Sequence, residues 1–124
     1  EKAHRWDAGV LAILVDRVAA QQNADEKRLY VTGLSMGGSG TWSIIAKYPD
    51  KFAAAVPMCG RGNDAAAEKL AALPIWIFHG AKDTGSPVSL SQTMFDAIKK
   101  AGGCLLYTSP SPRDRTRYRM PSSD

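Results

Sequence analysis

A parallel α/β architecture is the fold class that these 124 residues predict, and three observations carry it. Short apolar runs recur at 29–33, 52–58 and 74–80. The stretches around them carry apolar residues at helical spacing. One junction, 29–42, passes without a break from an apolar, β-rich run through a glycine-rich turn into a helix start. Strands that alternate with helices are joined by crossovers, so the sheet is parallel.

The elements follow in order. Val10, Leu11, Ile13, Leu14, Val15 and Val18 fall on one broad face at spacings of three and four, which predicts a helix over 7–22. Polar residues 23–28 turn the chain into the first strand, 29–33. A second helix spans 37–47 and ends ahead of Pro49, since proline cannot continue a helix. The second strand, 52–58, empties into the glycine-rich loop 59–64, and 65–73 resembles a short helix. Residues 74–80 are the continuous apolar run expected of a parallel strand covered on both faces. A last helix over 89–101 turns Leu90, Met94, Phe95 and Ile98 to the core and stops at Gly102-Gly103.

Composition bounds the function. With 44% hydrophobic and 8% aromatic residues, the chain is globular and forms one domain or part of one. The net charge of +4 is split evenly: residues 1–103 hold 12 Lys and Arg against 10 acids, and 104–124 hold 4 against 2. Basic residues in the main part are dispersed among acids, which argues against a nucleic-acid partner. No apolar run is long enough to span a bilayer. Two cysteines, Cys59 and Cys104, make no disulfide framework and show no zinc-type spacing. No metal or cofactor is implied.

The junction holds Gly33-Leu34-Ser35-Met36-Gly37, a G-x-S-x-G motif. In a nucleophile elbow of this kind the serine sits at the tip of a strained turn, and the residues two before and two after it must be small. Gly33 and Gly37 meet that demand, and Gly38, Ser39 and Gly40 let the helix lie close to the sheet. The turn aims the helix N-terminus at the reacting centre, with the Met36 N–H as an oxyanion donor. Beyond the third strand lies His79-Gly80-Ala81-Lys82-Asp83. A carboxylate there can orient a histidine that deprotonates Ser35.

Residues 28–42, 48–60 and 73–91 together resemble the α/β-hydrolase superfamily, and within it the esterases and peptidases allied to prolyl oligopeptidase, dienelactone hydrolase and polyhydroxybutyrate-depolymerase-like feruloyl esterases. The resemblance covers about 6–103. It implies a partial α/β-hydrolase fold, a parallel sheet flanked by helices with three to four strands present. It also implies Ser35 as nucleophile, Asp83 as triad acid, Met36 as oxyanion donor and His79 as a structural, hydrogen-bonded histidine. The implied activity is cleavage of a carboxylic ester, small or polysaccharide-linked, with a serine peptidase or a non-catalytic binding domain as alternatives. Extracellular or periplasmic placement accords with the resemblance.

Two features depart from the pattern. No glycine-containing oxyanion loop occurs in 1–32, and no histidine follows Asp83 in the chain. His4 and His79 are poorly placed to serve as the base. Periodicity is lost over 104–124, where three of the seven prolines gather. That tail resembles a translated sequencing-library adapter, the alternative being a disordered Ser/Pro/Arg tail. On the adapter reading the natural sequence stops near Gly103, ahead of the triad histidine, and the 124 residues are a fragment. Residues 104–107 are β-compatible all the same and can add a strand.

Overall fold

The computed structural model describes residues 6–83 and 85–109. His4 and residues 110–124 of the expected tail lie outside that range. The elements are α1 (Ala8–Gln21), β1 (Tyr30–Leu34), α2 (Met36–Lys47), β2 (Ala54–Met58), α3 (Ala67–Leu70), β3 (Ile75–Phe78), α4 (Ser89–Lys100) and β4 (Leu105–Thr108). One-turn 3-10 segments, Glu26–Arg28 and Asp64–Ala66, precede β1 and α3.

The four strands form one sheet in the order β1-β2-β3-β4, and every pairing is parallel. Val31, Ala55, Ile75 and Leu105 share one register row, and Gly33 stands beside Pro57. Residues of these rows point to one face, where Trp42 and Ile45 of α2, Leu70 of α3, and Met94 and Ile98 of α4 close the core. The opposite face presents Tyr30, Leu34, Trp76 and Leu106 to solvent. Burial along β3 therefore alternates, Ile75 and Ile77 in and Trp76 out, rather than covering both faces as the continuous apolar run suggested.

Helix ends follow the local code. Asp7 caps α1 by accepting from the Val10 N–H at 3.0 Å. At the end of α4, the Gly102 N–H donates to the Lys99 carbonyl at 3.0 Å and the Gly103 N–H to Ile98 at 2.9 Å, with Gly102 at φ 88°. This is a Schellman stop, and the left-handed φ is why glycine stands there.

Two elements differ from expectation. In α1 only Ala12 and Ala19 are fully buried, Leu11 and Val15 are partly buried, and Val10, Ile13, Leu14 and Val18 are exposed. The broad apolar face thus meets α2 along one edge only. The helix expected over 65–73 shrinks to a 3-10 turn and four α-helical residues, because Pro74 disfavours a helical residue before it and the Leu73 N–H closes on the Leu70 carbonyl at 3.1 Å. As expected of the β-compatible Leu-Leu-Tyr-Thr, β4 carries the sheet past residue 103, with Leu105–Thr108 paired to Ile75–Phe78.

Candidate active site

Ser35 links β1 directly to α2 with φ 58° and ψ −109°. A non-glycine residue with positive φ stores strain, and the strain persists only where the surroundings hold it. Here the Ser35 N–H donates to the Met58 carbonyl of β2 at 2.8 Å, and its carbonyl accepts from the Ser39 N–H at 3.0 Å. The exposed side chain makes no capping hydrogen bond, so the hydroxyl is presented to solvent at the carboxyl end of the sheet.

Glycines admit the turn, but not symmetrically. A Cβ on Gly33 would lie 2.1 Å from the Gly37 carbonyl oxygen, whereas one on Gly37 would meet nothing within 4 Å among the described residues. The steric demand falls on Gly33, two residues before the serine, and the expectation that Gly37 must also be small is corrected. A second tight contact comes from Gly38, whose Cβ would sit 2.2 Å from the Met58 carbonyl oxygen, and from Gly60, at 2.2 Å from the Gly38 carbonyl carbon. Helix α2 therefore crosses the exit of β2 backbone against backbone. The Arg61 N–H donates to Ser39 Oγ at 3.0 Å and ties that exit to the helix. Gly40 owes its small size to Trp6, 2.7 Å from its would-be Cβ, and the Trp6 indole donates to the Met36 carbonyl at 2.6 Å.

Met36 is the first helical residue, so its N–H is among those without an intrahelical acceptor, and it lies beside Ser35. An apolar cleft of about 200 Å³ between α1, α2 and β1 touches the elbow at Thr32 and Gly37. Neither Ser35 nor Asp83 lines it.

Asp83 lies in the loop after β3, half-buried. Its Oδ1 accepts from the Gly85 and Ser86 N–H groups, both at 2.9 Å. His79, fully buried, braces the same loop: Nε2 is 2.6 Å from the Ser86 carbonyl oxygen and Nδ1 is 2.6 Å from Ser91 Oγ on α4. A carbonyl only accepts, so Nε2 carries a proton and donates it. Both ring nitrogens are engaged, which accords with a structural histidine.

Ser35 and Asp83 thus leave the carboxyl ends of β1 and β3, with the exit of β2 between them. That exit carries Cys59, buried and at φ 53°. Its Sγ, a His79 ring nitrogen and an Asp83 oxygen all lie within 4.8 Å of one another. This grouping was not legible from spacing, because parallel pairing brings together residues about twenty positions apart. Nearby, burial pushes the Tyr107 hydroxyl above its ordinary pKa; a hydrogen bond with Ser109 opposes the rise and the charge on Cys59 adds to it.

A parallel sheet with a strained serine elbow, and an acid turn on the next strand but one, defines a partial α/β-hydrolase fold. The sequence pattern of the Dienelactone hydrolase family matches residues 2–105, and the chain belongs to that family. It is 33% identical over 70 residues to a bifunctional acetylxylan esterase/xylanase of Neocallimastix patriciarum, a match taking in 56% of this chain and 10% of that protein. Over 47 residues it is 47% identical to poly(3-hydroxyalkanoate) depolymerase C of Paucimonas lemoignei, covering 38% of this chain and 11% of that one. Among solved structures, a thermostable esterase superposes with a TM-score of 0.82 at 36% identity, over 96% of this chain and 32% of the esterase. The acylaminoacyl peptidase of Pyrococcus horikoshii (TM-score 0.71, 16% identity, 88% of this chain and 24% of the peptidase) shares the fold. The chain therefore spans about a tenth of those curated relatives and about a third of the esterase.

Proposed function

We propose that the protein is a serine hydrolase of carboxylic esters, with Ser35 as the nucleophile. The observation that carries this reading is the backbone of Ser35, held at φ 58° between strand and helix with its hydroxyl uncommitted to capping. Attack of Oγ on the ester carbonyl forms a tetrahedral intermediate, and expulsion of the alcohol leaves an acyl-serine that water then hydrolyses. The Met36 N–H and the N-terminal end of α2 stabilise the oxyanion. Asp83, its carboxylate fixed by two backbone N–H groups, orients the histidine that moves the proton. No histidine follows Asp83 in these 124 residues, so that base comes from elsewhere in the protein. Residues 1–103 are the hydrolase portion in this reading. The acetylxylan esterase relative supports a polysaccharide-linked ester as substrate.

The test uses an activated acetate ester and a fluorophosphonate probe. In a protein that supplies the histidine, Ser35→Ala should lower kcat by about 10⁵-fold or more and abolish labelling. The 124-residue chain alone should turn the ester over very slowly. Hydrolysis that survives Ser35→Ala overturns the assignment.

A further inference from the structure

We propose that Cys59, His79 and Asp83 form a binding site for a thiophilic divalent cation of the zinc type, one that shares Asp83 with the proposed catalytic site. The three donors are a thiol, an imidazole and a carboxylate, each a ligand type that zinc takes, and three protein ligands leave a fourth position for water. Their ligating atoms already lie within 4.8 Å of one another. Bond lengths of about 2.0–2.3 Å in a tetrahedron bring donor atoms to about 3.3–3.7 Å apart, so the cluster closes by roughly 1 Å.

The framework is built to hold that geometry. Cys59 and His79 continue the paired ends of β2 and β3, where Met58 stands beside Phe78, and the Cys59 N–H donates to the Phe78 carbonyl at 2.8 Å. Two strands therefore fix two ligands. Asp83 is the half-buried member of the three, so an ion enters from its side, and its Oδ1 is already held by the Gly85 and Ser86 N–H groups. On binding, the ion takes one ring nitrogen of His79 from its present partner, and the other nitrogen keeps its own, either Ser91 Oγ or the Ser86 carbonyl. A second hydrogen bond of this kind is what orients histidine at metal centres. The Cys59 thiol binds as thiolate, so each ion taken up releases one proton to solvent.

One consequence rests on the hydrolase reading: an ion held by Asp83 takes the carboxylate away from the catalytic histidine, so zinc would inhibit the enzyme reversibly. Binding itself does not depend on that reading, and the two fail separately.

The experiment is a titration of the metal-stripped 124-residue chain with Co²⁺, read by the thiolate-to-cobalt charge-transfer absorption. One equivalent should saturate the band. It should persist in Cys104→Ser, disappear in Cys59→Ser, and need at least about tenfold more Co²⁺ in Asp83→Asn. No band in the wild-type chain, a band that survives Cys59→Ser, or an unchanged midpoint in Asp83→Asn overturns the site. Should Cys59→Ser fail to fold, Zn²⁺ protection of Cys59 from alkylation, mapped by mass spectrometry in the wild-type chain, decides the same question. Protection supports the site and unprotected alkylation overturns it.

Discussion

Gly33 and Gly37 flank the same serine, yet physics asks different things of them. Adding a methyl group at Gly33 drives it into the Gly37 carbonyl, 2.1 Å away, which backbone can relieve only by moving the elbow. We expect Gly33→Ala to destabilise the chain by about 2–3 kcal/mol in urea unfolding. Gly37 is helical with open space where its Cβ would stand, so Gly37→Ala should be neutral or stabilising by up to about 1 kcal/mol. Equal destabilisation by the two changes would contradict the asymmetry. Tyr107 supplies a pH dependence. Its raised folded pKa means that the fold prefers the neutral phenol. That stability is complete below the ordinary tyrosine value of about 10 and is lost as pH rises from there through the folded value. Tyr107→Phe should accordingly flatten the fall in urea midpoint above about pH 10, and an unchanged slope would remove Tyr107 from the account.

Among the elements, the join between β3, the acid turn and α4 depends on one side chain. His79 bonds to Ser86 in the turn and to Ser91 in the helix, while Asp83 closes the turn from within. Replacing His79 by Ala removes both links and leaves a cavity, at a cost of about 3 kcal/mol. Hydrogen exchange should then quicken at the Gly85 and Ser86 amides; protection equal to the wild type would show that the turn stands by itself. The order of elements was legible in the sequence because each is coded locally, by apolar period inside and by Pro49 and Gly102 at the ends of two helices. The elbow was legible for the same reason, its serine and glycines being contiguous. What local code could not report was which side of α1 meets the core, since Val10 and Ile13 look as buriable as Leu11 and Val15. It was equally silent on the Cys59, His79 and Asp83 cluster, which the sheet assembles from the exits of two strands.

At the scale of the whole molecule, the helices and the core occupy one side of the sheet and the other side is apolar in part. Tyr30, Leu34, Trp76 and Leu106 stand exposed there, with Val10, Ile13 and Leu14 exposed on α1. Exposed apolar side chains of this kind are what a hydrophobic dye binds. The folded chain should bind the dye ANS, and Leu106→Lys should weaken the signal without changing the helical circular dichroism. A chain that leaves ANS fluorescence unchanged would contradict this. Tyr30 finds Ala54, Ala55 finds Ile75, and Ile75 finds Leu105, so no strand meets its partner before a loop of twenty or more residues has closed. Without a hairpin to begin from, loop entropy is paid before the first ladder bond forms, and such topologies are slow to reach the native state. The Ser35 N–H leans on the Met58 carbonyl, so the strained serine exists only once that long closure is complete. During synthesis or refolding, the elbow geometry on which the proposed ester chemistry rests would be among the last features to arrive.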